Sequence, residues 1–316
     1  MYSQHFKLNC RAFAAAPGSQ FFVPNDEVND AVTRLQDVLL SRDAVAIISG
    51  GPGVGKTAIL EHARSGICDD AVIAWADLRQ AEPEQLFDLL ILNLGGDTTG
   101  GDSALAWHRL HGLIQKHNAD GRQVTAAVDV SNITAERAKR LLRLMHMTGE
   151  PTGQLNLVLL GPHTLHKLLN VPGLIHLRQR LVFRHRVRPL TEAETAAYLA
   201  DRIQAAGGDA SKILGSDVAG LVHRYVAGVP RLVNTLIEAS LTEAANRKLP
   251  QLDGEIVQQV ARTLGWKSMG NRKAAASKNA PAAAPTATRK KAPSPLELAA
   301  QHNAPAEEPQ ANTTPK

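Results

Sequence analysis

The sequence predicts an α/β fold, a parallel five-stranded sheet with helices on both faces, followed by a small all-helical domain. Three observations carry that prediction. Short apolar runs alternate with helical periodicity up to Pro189. A glycine-rich stretch separates the first of those runs from the helix behind it. Beyond Pro189 the apolar runs stop, and only helical spacing remains.

The elements follow in chain order. Val28, Ala31, Val32, Leu35, Val38 and Leu39 recur at helical spacing and predict an amphipathic helix. The run Ala44 to Ser49 predicts the first strand, and a helix through about Ser65 follows the glycine-rich loop. Further strands are predicted at Ala71 to Ala74, Val124 to Asp129, Leu155 to Leu160 and Leu181 to Val187. Helices over Pro83–Leu94, Ser103–Lys116, Ala135–His146 and His163–Leu169 fill the gaps. Apolar strands of this length, alternating with helices, imply a parallel sheet covered on both faces. Thr191–Ala206, Gly215–Val226, Pro230–Asn246 and Gly254–Leu264 read as helices alone. The chain therefore divides into an N-terminal segment with its leading helix (1–43), a sheet-bearing core (44–189), a helical lid (190–266) and a tail (267–316).

Composition narrows the function classes. The chain of 316 residues is 44% apolar and 21% charged, as expected of a soluble globular protein. No stretch approaches the roughly 18 uncharged apolar residues of a membrane helix. The N-terminus lacks the layout of a secretion signal. Cys10 and Cys68 match no metal spacing and read as buried thiols of a reducing cytoplasm, at most peripheral to the inner membrane through a partner. The net charge of +5 lies entirely in the tail: from Lys267 onward there are eight Lys/Arg against three Asp/Glu, leaving 27 of each before it. That Ala/Pro/Lys-rich tail is expected to be disordered, and the body carries no basic excess that would favour nucleic acid.

The chemistry sits in Gly50-Gly51-Pro52-Gly53-Val54-Gly55-Lys56-Thr57, with Ala58 directly behind it. This is a phosphate-binding loop in its proper setting, after a strand and before a helix. The glycines let the backbone turn tightly and aim successive N–H groups at phosphate oxygens. The helix adds the positive end of its dipole. Lys56 is expected to reach the outer phosphates of ATP, and the Thr57 hydroxyl to hold Mg²⁺. A second carboxylate at the end of another strand is needed for the metal, and Asp129 supplies it. Where a water-activating glutamate would follow, the chain has Val130. Valine cannot orient or deprotonate water, so hydrolysis is expected to use another group or be slow. On the sequence alone, Val130→Glu is expected to raise the rate if the pocket is otherwise intact.

These residues resemble the AAA+ ATPases of the general secretion pathway protein A type over roughly residues 2 to 265. The likeness runs from Tyr2-Ser-Gln-His5-Phe6 and the Phe21-Phe22 pair through the phosphate loop and Asp129. It continues through Leu177-Arg178-Gln-Arg180-Leu181 and Arg188-Pro-Leu-Thr-Glu-Ala-Glu194 with Tyr198, and closes on Gly228-Val-Pro230-Arg231-Leu-Val-Asn234. The resemblance implies a role for Arg231 at the terminal phosphate and for Arg178 or Arg180 as a finger presented to a neighbouring copy's ATP. It also implies a homo-oligomer and a secretion or surface-assembly partner. Two departures stand out: Val130, and Pro162-His163 where a polar sensor is usual. The alternatives are a nucleotide-dependent assembly switch with little hydrolysis, and a DNA-acting loader or transposition regulator that uses the tail and the Arg184–Arg188 cluster.

Overall fold

All five apolar runs become strands of one sheet in the computed structural model, which describes residues 1–14, 21–67, 70–78, 85–98, 100, 103–130, 141, 144, 155–170 and 175–268. The chain divides into the units Met1–Lys273 and Ala274–Lys316, and every described residue lies in the first. The predicted tail from residue 269 onward, Cys68, and all of Ala135–His146 except Leu141 and Leu144 fall outside the described residues.

The strands are β1 (Val45–Gly50), β2 (Ala71–Asp77), β3 (Gln123–Asp129), β4 (Leu155–Gly161) and β5 (Leu181–Val187). They lie in the order β2-β3-β4-β1-β5, and all pairs are parallel. β2 runs three residues past the predicted end and carries Asp77 into register beside Asp129. Alternation along each strand serves two apolar layers. Val45, Ile47, Val124, Val128, Leu157 and Leu159 face one cluster, which also holds α4 (Leu86–Asn93) and α5 (Ser103–Ala119) residues. Ala46, Ile48, Ala127, Val158 and Leu160 face the other, with α2 (Asp26–Leu40) and α3 (Lys56–Ser65). Burial on both faces is why these strands read as nearly continuous apolar runs.

One buried polar residue fixes the frame of β1. Asn156 accepts from the Ala44 N–H at 3.0 Å and donates to the carbonyls of Leu39 at 3.3 Å and Ser41 at 2.8 Å. It thereby ties the end of α2 to the start of the strand that delivers the glycine-rich loop.

His163–Asn170 forms a 3₁₀ helix, and a short helix, α6 (Ile175–Arg180), leads into β5. The remaining helices are α7 (Glu192–Ala205), α8 (Ala210–Ile213), α9 (Val218–Val226), α10 (Pro230–Asn246) and α11 (Gly254–Thr263). Thr191 and Glu194 form a capping box that starts α7. These helices share a third apolar cluster, and the first residues of the chain join it. Tyr2 (on α1, Tyr2–His5), Phe6, Leu8, Ala12, Phe13 and Phe21 are buried there. The Asn9 N–H donates to the Ala206 carbonyl at 2.8 Å. The N-terminal segment thus packs with the helical layer, while α2 packs on the sheet. The polypeptide crosses between the two layers twice, at residues 21–25 and 187–191. Arg188 staples the crossings: it donates to both carboxylate oxygens of Glu194 at 2.7 and 2.8 Å and to Glu27 at 3.1 Å, and Asn25 donates to Glu194 at 2.7 Å. Glu194 is held well below the usual carboxylate range, chiefly by Arg188. Arg188 is therefore a structural ion-pair residue and does not belong to a free basic strand face.

Candidate nucleotide site

A cleft of about 1660 Å³ opens at the carboxyl ends of the strands, between the glycine-rich loop and α10. Ligands of open parallel sheets bind at this end, where the strand order changes direction about β1. Gly50 and the run Pro52 to Ala58 line it, together with Asp129, Gly161, Pro162 and Arg231. Of the residues that the sequence assigns to phosphate binding, only Gly51 stands back from the wall.

The loop's glycines are required by geometry. A Cβ on Gly50 would lie 2.8 Å from the Val187 carbonyl and from the Val54 side chain. Gly55 has φ +104°, in the region open to glycine. It leads directly into α3, whose first turn has no side-chain cap and no acidic residue. That turn directs backbone N–H groups to where an anion could accept from them. Lys56 folds back on the loop and donates to the carbonyls of Gly50 at 3.1 Å and Gly51 at 2.9 Å. Thr57 and Asp129 offer the oxygen donors that suit Mg²⁺. Asp129 is only 8% exposed, on the α2–α3 face of the sheet.

Val130 is positioned differently. Its N–H continues the ladder to the Leu160 carbonyl at 2.6 Å. Alternation then turns its side chain to the opposite face, where it is 0% exposed in the cluster with Leu141, Leu144 and Leu165. The position does not line the cleft. A carboxylate there would enter the apolar layer, which speaks against the expectation that Val130→Glu would raise the rate. Beyond β4, the His163 imidazole is held below its usual pKa by desolvation and by the charges of Arg186 and Lys56.

The helical layer reaches the loop through Arg231. Its N–H donates to the Gly53 carbonyl at 3.2 Å, and Gly53, with φ +77°, leaves only 3.0 Å between its absent Cβ and that of Arg231. Arg178 and Arg180 are placed elsewhere. They end α6 and precede β5, at the amino edge of the sheet, and neither lines the cleft. Their place, before the first residue of β5, is at the end of the sheet opposite this chain's own phosphate loop.

Sequence reading missed several cleft residues. His62 stacks on Phe22 with centroids 4.2 Å apart, and His185 is half-buried, its pKa lowered by burial. Arg202, 2% exposed, stands among Phe13, Phe21 and Tyr198. The Phe21-Phe22 pair was the available signal, since adjacent aromatics in a chain poor in them mark an anchoring point.

No family model matches the chain. General secretion pathway protein A of Aeromonas hydrophila is 26% identical over 252 residues, which cover 78% of this chain and 45% of that protein. The chain thus spans less than half the length of that curated relative. Among solved structures, the Aeropyrum pernix ORC2 protein in its ADPNP–ADP complexes superposes with a TM-score of 0.62 at 14% identity, covering 80% of this chain and 71% of that one. The Aeropyrum pernix ORC1 protein in complex with DNA gives 0.63 at 16% identity, covering 82% and 70%. The Thermotoga maritima RuvB Holliday junction branch migration motor gives 0.54 at 14%, covering 79% and 72%. The fold is that of the AAA+ P-loop NTPases. Within that AAA+ frame, the loop, Asp129 and Arg231 converge on one cleft, and Val130 departs from it.

Proposed function

We propose that this chain is an AAA+ module that binds ATP with Mg²⁺, assembles with copies of itself through its nucleotide sites, and turns ATP over slowly. One observation carries the reading: an uncapped helix start, a lysine resting on loop carbonyls, a buried aspartate and a lid arginine all meet in a single cleft. The backbone of residues 51–57 would grip the phosphates, and Lys56 would exchange its carbonyl partners for phosphate oxygens. Thr57 and Asp129 would hold Mg²⁺, which neutralises phosphate charge. Arg231, seated on Gly53, would report the terminal phosphate to the helical layer. With Val130 turned into the core, no side chain at that position orients water. Binding is therefore favoured over rapid hydrolysis, and an assembly switch over a fast motor.

The likeness to general secretion pathway protein A supports service to a secretion or surface-assembly system. Arg178 and Arg180, at the edge away from their own loop, are suited to a neighbour's site. Sedimentation with and without ATP tests the assembly: ATP should drive association of the wild type, and Arg178→Ala should remain monomeric while still binding ATP. Association indifferent to ATP in both proteins sinks the reading. A DNA-acting role is the second reading, favoured by the exposed Arg184 and Arg186 of β5. It requires filter binding that weakens steeply between two salt concentrations.

A further inference from the structure

The part of the cleft beyond the phosphate loop contains a polar relay that no step above uses. Tyr198 on α7 and Asn234 on α10 both line the cleft, and the Tyr198 hydroxyl donates to Asn234 Oδ1 at 2.9 Å. Behind them, Arg202 Nη1 donates to the same hydroxyl at 2.7 Å, and its Nε donates to the Ala12 carbonyl at 2.8 Å. Arg202 is 2% exposed and has no carboxylate partner among the described residues; its Nη2 has no acceptor. The rings of Phe13, Phe21 and Tyr198 surround the guanidinium at 5.2 to 5.5 Å. A buried cation without a counter-ion is costly to keep. Held by two hydrogen bonds and three rings, the guanidinium is suited to the task of orienting its neighbours.

The direction of the relay identifies that task. Arginine can only donate, so the Tyr198 oxygen must accept from it. The tyrosine hydrogen is then free for Asn234, and it fixes which end of that amide points back. The network, not the shape of the side chain, decides the amide's orientation. Asn234 Nδ2 is left as a donor directed away from the relay. Asn234 follows Arg231 by three residues, so the two share a helix face, about 4.5 Å apart along the axis. Arg231 sits on the phosphate loop, and the cleft that Asn234 lines is also lined by Val23, Leu190 and the Phe22–His62 stack. These side chains offer apolar and aromatic surface within the cleft, as a planar base requires.

We propose that Asn234 is a ligand-recognising residue whose amide N–H donates to an acceptor atom of the nucleoside, with Tyr198 and Arg202 as the positioning residues that aim it. This rests on the ATP-binding reading above. Because Arg202 also holds the Ala12 carbonyl, the same relay joins the nucleoside pocket to the N-terminal segment.

Binding of ATP and of inorganic tripolyphosphate, measured side by side by calorimetry, separates the two readings. Asn234→Leu and Tyr198→Phe should each weaken ATP about fivefold, the worth of one hydrogen bond, and leave tripolyphosphate unchanged. Arg202→Met should act in the same direction, and Lys56→Ala should abolish binding of both ligands. Tyr198→Phe keeps the ring and its packing, so it tests the relay even if Asn234→Leu disturbs the fold. Lys56-dependent binding with an unchanged ATP-to-tripolyphosphate ratio in Asn234→Leu and Tyr198→Phe overturns the assignment and leaves the nucleotide reading standing. Wild-type protein that binds neither ligand overturns both.

Discussion

Val130→Glu is the substitution that the sequence alone would choose in order to create a faster enzyme, and the structure predicts the opposite outcome. The Val130 side chain is 0% exposed and packs with Leu141, Leu144 and Leu165, on the sheet face away from Asp129. A carboxyl placed there must stay neutral in the folded state. At pH 7, against an ordinary glutamate pKa near 4.3, that neutrality costs about 4 kcal/mol at about 1.36 kcal/mol per unit. Overpacking by the longer side chain adds roughly 1 kcal/mol or more. With a urea dependence of roughly 2–3 kcal/mol per M, a total of about 5 kcal/mol should lower the midpoint by about 2 M. The assay is urea unfolding followed by far-UV circular dichroism, paired with steady-state ATP turnover. Val130→Ala serves as the control that leaves a cavity without a charge. The account predicts a strongly destabilised Val130→Glu protein with turnover no higher than wild type. A variant of wild-type stability with raised turnover would refute it, because the carboxylate would then be reaching the cleft.

Two further substitutions test the connection between lid and core. Gly53→Ala places a methyl 3.0 Å from the Arg231 Cβ at a φ of +77°, a conformation costing about 1–2 kcal/mol for a residue with a side chain. ATP binding measured by calorimetry should weaken roughly tenfold, and unchanged affinity would mean that α10 does not need its seat on the loop. Arg188→Leu removes the staple between the two crossings. With Arg188 44% and Glu194 24% exposed, solvent screening limits the loss to roughly 1 kcal/mol, a fall in Tm of about 2–4 °C. The loss should shrink at high salt, and a salt-independent difference would place the effect in packing instead.

Much of the fold was legible because buried parallel strands leave a plain signature. β1, β3 and β4 are apolar runs closed by glycine or aspartate, β5 mixes apolar and basic residues up to Arg188-Pro189, and each falls within a residue of its predicted bounds. β2 was cut short because Trp75-Ala76-Asp77 mixes a bulky ring and a charge, although its register with β3 carries it on to Asp77. The short helices α6 and α8 offer too few turns for periodicity to be read. The phosphate loop and Asp129 are legible in local pattern, Arg231 only through the family resemblance, and the structure brings the three to one cleft. The Arg202–Tyr198–Asn234 relay was not, since it joins three positions whose meeting depends on how α7, α10 and the N-terminal segment pack. The side to which Val130 points could have been read by counting alternate residues from Asp129. The substitution pattern drew attention to which residue was missing, and the strand's geometry shows where its replacement points.

Calorimetric titration of ATP and Mg²⁺ into the wild-type protein and into Lys56→Ala tests the central claim most directly. The account predicts saturable binding of one ATP per chain in the wild type and its loss in Lys56→Ala. Wild-type protein that takes up no ATP, or binding that survives in Lys56→Ala, would contradict it.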